Sequence, residues 1–328
     1  MEQLNLTQEW DKTFPKSEKV NHRKITFVNR FWITLAADLY EPKEYEWKLP
    51  AIAVSWPFWA IKEQCSWLYA QTMAERWFLT IAFDPSYTWE SWGIPRYVAS
   101  PDINTEDFQA AVDFLSIQDN VDPEKIGIIW ICGWWGLALN TAALDTRIKA
   151  TIAVTMYDMS SNTQKWYFNA EDSEESRYQK RLQLAKDRNE DAKNWNHAFW
   201  WWLPEVAPEW APDFLVNYVS YYKHADRWYV TRSVAWNEGW AKIWICSYLN
   251  TKLLSYANEI RTPVLLIHWE KAHSLYMSQE AYKLMTENSK YADNKELMII
   301  PWAVHIDLYD NLEVIPFDKM EEFFNKYL

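Results

Sequence analysis

One cysteine and one histidine carry the most legible chemistry in this chain. Cys132 sits in the run GIIWICGWWG (127–136), where an apolar strand-like segment, KIGIIWI at 125–131, turns sharply into the helix-like WGLALNTAAL at 135–144. His305 lies in IIPWAVHIDLYD (299–310), just past the apolar run ELMII at 296–300. A thiolate is the reactive form of cysteine toward a carbonyl carbon, and an imidazole beside it can take the thiol proton and later return one to a leaving group. Such a pair runs acyl transfer through a covalent intermediate. Other motifs give little. His22, His197 and His224 fall in polar stretches and read as surface residues. Cys65 and Cys246 lack the His/Cys spacing of a zinc site, and His268 with His273, five apart across a strand end, is poor metal geometry. GLALN offers no phosphate-cradling loop, so neither a metal nor a nucleotide cofactor is expected.

The elements that must position these residues follow from periodicity. KITFVNR (24–30) and ITLAADLY (33–40) alternate as a half-buried antiparallel hairpin with Phe31-Trp32 at its turn. AIAVS (51–55) and FLTIAF (78–83) are short, continuous apolar runs, the mark of central parallel strands covered on both faces. An amphipathic helix over 62–76 separates them, with Lys62 and Glu63 at its start. A second helix opens at Asn104-Thr-Glu-Asp and runs to about Gln118. IKATIAV (148–154), PVLLIH (263–268) and ELMII (296–300) continue the sheet, with helices near 278–287 and 317–327. This βαβαβ alternation implies a mostly parallel sheet with helices on both faces. From Asp158 to Tyr256 the text turns charged and aromatic, with helical runs at 174–188 and 212–222 and no buried strand, and reads as a helical insertion. The expected organisation is a core of 1–157 and 257–328 with a cap at 158–256.

One compositional feature is out of range for a globular protein. The chain holds 24 Trp and 5 Gly, where ordinary usage of about 7% glycine would give roughly 23. The tryptophans stand where glycine belongs: PW at 301–302 in place of a Pro-Gly turn, RW at 76–77 at a helix end, TWESWG at 88–93 and WWW at 200–202 in loops. Some genetic codes read UGA as glycine and others as tryptophan, and a gene of the first kind read with the second table gives this text. Most tryptophans are therefore read as glycine positions, Trp130 and Trp135 among them, with Trp134 read as genuine.

With those glycines restored the turn reads GICGWGG, and the chain resembles the α/β-hydrolase superfamily, specifically its dienelactone-hydrolase-like branch with a cysteine nucleophile. The resemblance spans the first hairpin, the turn after 51–55, the elbow around Cys132 and the loops after the last two strands. It implies an α/β-hydrolase fold with a helical cap insertion. A nucleophile elbow is a strained strand-to-helix turn whose neighbours must be small, which suits Cys132 followed by Gly133. The superfamily carries its general base on the loop that holds His305. The oxyanion hole would take one amide from Gly133 and a second from SWPFWAIKEQ (55–64), supplied by Phe58 or Trp59. The triad acid would be Glu270, after PVLLIH, or Asp158, after IKATIAV. In the usual G-x-x-D pattern, with Trp269 as the glycine, the acid position falls on Ala272.

The resemblance implies hydrolysis of a carboxylic ester, lactone or thioester through a Cys-His-acid triad. A peptidase or acyltransferase on the same fold, or a ligand-binding protein that has lost turnover, is the alternative. A net charge of −12 and a pI near 5.1 exclude a nucleic-acid partner that needs a basic face. Without an apolar run of about 18 residues no membrane span is expected, and a polar MEQLNLTQEWDKTF start with unpaired cysteines reads as cytoplasmic. Expected partners are a small-molecule acyl substrate and, for assembly, a second copy in a homodimer.

Overall fold

The structure, a computed structural model, describes residues 2–200, 203–224, 227, 233 and 239–328, without the side chains of Trp134 and Trp135. The alternating segments form the expected hairpin. β1 (Val20–Val28) pairs antiparallel with β2 (Thr34–Pro42), from Val20 opposite Pro42 to Val28 opposite Thr34. Asn29 closes its turn, its side-chain oxygen accepting from the amides of Phe31 and Ile33. β3 (Leu49–Val54), α1 (Cys65–Ala74), β4 (Leu79–Phe83), α2 (Pro101–Ser116), β5 (Val121–Ile131), α3 (Trp135–Leu144) and β6 (Ile148–Val154) follow in alternation. Then come α4 (Met159–Lys165), α5 (Glu174–Asn194), β7 (Phe199–Trp200), α6 (Asp213–Lys223), β8 (Trp240–Ala241) and α7 (Trp244–Asn250). β9 (Val264–Trp269), α8 (Leu275–Thr286), β10 (Lys295–Ile300), α9 (Asp307–Asp310) and α10 (Phe317–Tyr327) close the chain.

Eight strands make one sheet in the order β1-β2-β4-β3-β5-β6-β9-β10. β2 runs antiparallel to both β1 and β4, and every other pairing is parallel. The apolar runs are the interior of this sheet: Ile52, Val54, Ile128, Ile129, Ile152 and Leu265 have no exposed surface. That fits strands covered on both faces. On the helical layers, α2 packs on α3 and α1 on α10. The fold is thus the α/β architecture expected, with the catalytic candidates at strand C-terminal ends.

Several local expectations are revised. α2 begins at Pro101, because proline's fixed φ suits the first helical position. Asn104 lies one turn inside and reaches back to accept from the Ser100 amide. α1 begins at Cys65, and Lys62 and Glu63 sit in a buried turn before it. The stretch between β6 and β9 is mainly helical but also pairs β7 with β8, and Trp240 and Ala241 of β8 are buried.

Backbone conformation marks out the tryptophans. Trp32, Trp77, Trp89, Trp166, Trp195 and Trp302 all adopt positive φ, from 39° to 73°. A side chain there meets its own backbone at a cost of about 1–2 kcal/mol, which glycine escapes. The left-handed turns expected at 76–77 and 301–302 are present, and Trp195 is the left-handed cap of α5. Trp201 and Trp202 lie outside the described residues. Trp130 and Trp269 are fully buried with indole N–H groups that have no acceptor, although a buried indole ordinarily finds one.

Candidate active site

Cys132 stands at the end of β5, where the chain leaves the sheet through one 3-10 turn, Cys132–Trp134, and enters α3. Its φ of 60° is the strained conformation an elbow imposes. The neighbouring position must be small: a Cβ on Gly133 would lie 2.8 Å from the Cβ of Phe58. His305, in the turn between β10 and α9, places its Nε2 3.2 Å from Cys132 Sγ. Both residues are buried, at 5% and 3% exposure.

The backbone N–H groups of Phe58 and Gly133 face the same sulfur, together with the hydroxyls of Tyr309 and Tyr218. Burial nevertheless dominates and pushes the Cys132 thiol up to about 11. Burial also holds the His305 imidazole well below its ordinary value, and the nearby His273 and His268 push the same way. Both shifts favour a neutral thiol beside a neutral imidazole at rest. Of the two residues proposed for the second amide, Phe58 turns its N–H to the sulfur. Trp59 instead lines the cavity over it, its ring edge-on to Tyr218 at 5.4 Å.

The turn that presents Phe58 is held from below by buried charges. The Lys62 ammonium pairs with Asp84 at 2.8 Å, with Glu63 at 2.6 Å and with Glu90. The Lys62 amide donates to Asp84, and Lys24 joins Glu63 at 2.7 Å. Removing one partner of a buried pair costs about 3–5 kcal/mol, so this turn has little freedom to drift.

Neither carboxylate considered for the triad meets His305. Glu270 is exposed beyond the end of β9. Asp158 is the N-cap of α4, with one carboxylate oxygen accepting from the amides of Ser160 and Ser161. His305 Nδ1 lies 2.8 Å from Ser274 Oγ. Ser274 Oγ in turn lies 3.1 Å from His268 Nε2, and His268 Nδ1 is 2.6 Å from Ser278 Oγ. Ser274 is two residues beyond the position at which the sequence pattern places an acid, so it escapes a search for carboxylates.

A narrow cavity of about 20 Å³ opens over Cys132. Five tyrosines line it, Tyr157, Tyr167, Tyr218, Tyr222 and Tyr309, beside Phe58, Trp59 and Met159. None of its described lining residues is charged. α6 brings Tyr218 and Tyr222 to the lining, with Phe214 one turn earlier on the same helix face; the spacing of four was a signal in the sequence, but nothing there tied that face to Cys132. Phe214 stacks on His273, with ring centroids 4.7 Å apart. Among the described residues no cluster of His, Cys, Asp or Glu suits a metal ion, and no helix is long and apolar enough to cross a membrane.

No family model matches the chain. It is 52% identical to the protein PA2218 of Pseudomonas aeruginosa over 99% of this chain and 86% of that one. The crystal structure of PA2218 superposes with a TM-score of 0.94 over the full length of both chains. YcjY of Escherichia coli is 30% identical over 88% of this chain and 93% of its own. A thiohydrolase of Aspergillus aculeatus, aneE, is 32% identical over 32% of this chain and 33% of its own. GrgF, an α/β hydrolase of a Penicillium species, shares the fold at a TM-score of 0.71 and 19% identity, over 94% of this chain and 99% of its own.

Proposed function

We propose that this chain, a member of the α/β-hydrolase superfamily, cleaves an ester, lactone or thioester through an acyl group carried on Cys132. The observation that supports this most directly is the convergence at one sulfur of His305 Nε2, at 3.2 Å, and the amides of Phe58 and Gly133. Cys132 Sγ attacks the substrate carbonyl carbon while its proton passes to His305 Nε2. The carbonyl oxygen becomes an oxyanion and takes hydrogen bonds from the Phe58 and Gly133 amides, where pre-aimed donors stabilise the developing charge. Collapse expels the alkoxide or thiolate, which leaves with the proton from Nε2. Water then attacks the acyl-cysteine, giving a proton to Nε2, and the acid departs as the thiol is restored. An alcohol or amine in place of that water makes the same site an acyltransferase.

The uncharged, tyrosine-rich cavity favours an apolar or aromatic acyl group without a net charge. A panel of p-nitrophenyl esters and acyl thioesters tests the proposal, with the acyl adduct followed by mass spectrometry. Turnover and a Cys132-linked acyl group, both abolished in Cys132→Ala, are expected. Turnover that survives Cys132→Ala would refute the covalent route, and tight binding of a thioester without turnover would favour the binding protein instead.

A further inference from the structure

We propose that Ser274, backed by His268, is the third member of this catalytic group and takes the place of a carboxylate as the positioning residue for His305; this rests on the reading of Cys132 and His305 above. The argument is one of proton direction. His305 Nε2 faces two groups that both carry protons, the Cys132 thiol at 3.2 Å and the Tyr309 hydroxyl at 3.1 Å. To receive the thiol proton it must be the bare nitrogen, so Nδ1 carries the hydrogen. That N–H donates to Ser274 Oγ at 2.8 Å. Ser274 then donates its own hydrogen to His268 Nε2 at 3.1 Å, and His268 Nδ1–H donates to Ser278 Oγ at 2.6 Å. Each donor has an acceptor and each points away from the sulfur. The chain fixes both the tautomer and the ring orientation of His305, the two services a triad carboxylate performs.

The arrangement also accounts for a cysteine here. A serine hydroxyl holds its proton far more tightly than a thiol, and a base without a carboxylate behind it is a weak match for it. A thiol can be deprotonated in step with attack by a neutral imidazole. The groups that face His305 are Cys132 from the elbow, Tyr218 from α6, Tyr309 from α9, and Ser274, His268 and His273 from the segment that begins at the end of β9. No described Asp or Glu hydrogen-bonds to the ring. The whole constellation can turn over without a buried negative charge on the enzyme.

Two readouts test this, one of which needs no substrate. With ¹⁵N-labelled histidine, the tautomers of His305 and His268 are read by NMR at pH 7.5. Both are expected as Nδ1–H in the parent, and Ser274→Ala should release His305 to the Nε2–H form that free imidazole favours. On p-nitrophenyl acetate, Ser274→Ala should lower kcat about 100-fold, the low end of what a positioned general base contributes, with KM unchanged. Ser274→Thr, which keeps the hydroxyl, should restore both. Ser274→Asp should raise the His305 pKa and add an acid limb to the pH–rate profile that the parent lacks. If Ser274→Ala keeps the Nδ1–H tautomer and the parental kcat, Ser274 has no positioning role. If Cys132→Ala still turns over while the tautomer responds as expected, the acyl-cysteine reading fails and the relay stands.

Discussion

His305 Nε2 lies 3.2 Å from Cys132 Sγ, in surroundings whose burial disfavours an ion pair between the two groups at rest. Burial raises the thiol and lowers the imidazole, which favours the neutral form of each. The sign is testable without a substrate. A thiol pushed up to about 11 supplies thiolate that grows about tenfold with each pH unit across the neutral range. Alkylation of Cys132 by iodoacetamide, followed on its own peptide by mass spectrometry, should rise about tenfold per pH unit from pH 7 to 9. A plateau reached below pH 7 would mean a thiolate–imidazolium pair and would sink this account.

The two carboxylates divide differently. Glu270→Gln should leave kcat and melting temperature as they are, because the side chain is exposed and clear of His305. Asp158→Ala removes the cap on two amides of α4. Loss of such a cap costs about 1 kcal/mol, a drop of roughly 2 °C in a chain of this size. Asp158→Asn, which keeps a capping oxygen, should recover it. A large loss of kcat in Glu270→Gln at unchanged stability would return that residue to the catalytic group.

Part of this site was readable in the sequence and part was not. Cys132 and His305 were legible because each follows an apolar strand, and parallel strands deliver their C-terminal ends to one rim of the sheet. That the amides of Phe58 and Gly133 face this sulfur was legible because backbone groups are placed by turns more than by side chains. The partner of His305 was not. A serine has no distinctive spacing signal, and His268 and Ser274 acquire meaning only when the end of β9 and the start of α8 fold beside the β10 loop. Tyr218 and Tyr222 come from α6, whose docking over Cys132 is a tertiary fact. The start of α2 was misplaced because Asn104 and Ser100 compete as caps, and Pro101 decides between them through its fixed φ.

Acid should destabilise the fold through its buried histidines. Burial lowers His268 to about 3 and His273 to about 4, while an unfolded histidine titrates near 6.5. Below about pH 6.5 the unfolded chain binds protons that the folded chain refuses. The stability these neutral rings contribute is thus complete above pH 6.5 and lost as pH falls toward their folded values. Each ring adds a slope of up to about 1.4 kcal/mol per pH unit. Urea unfolding at pH 7, 6 and 5 should show the decline, and His273→Phe should flatten it by about one proton. An unchanged slope in His273→Phe would mean that ring is accessible to protons in the folded state.

Replacing tryptophan by glycine should stabilise the protein at the positions its backbone marks. Trp77, Trp195 and Trp302 are exposed by 56%, 96% and 78%, so little packing is lost with their rings, and all three hold positive φ. Relief of that strain is worth about 1–2 kcal/mol at each site, less the entropy glycine restores to the unfolded chain. Trp77→Gly, Trp195→Gly and Trp302→Gly should each raise the urea midpoint. Phe31→Gly, at an exposed residue without positive φ, should not. Trp130 and Trp269 pose the buried form of the same question, since each strands an indole N–H at a cost of about 1–3 kcal/mol. If these positions are UGA codons that the source organism reads as glycine, protein isolated from that organism will carry glycine at Trp77, Trp130, Trp269 and Trp302 in its peptide masses. Tryptophan masses at those positions, or UGG codons in the gene, would refute the reassignment and leave the strained backbone as a property of the natural chain.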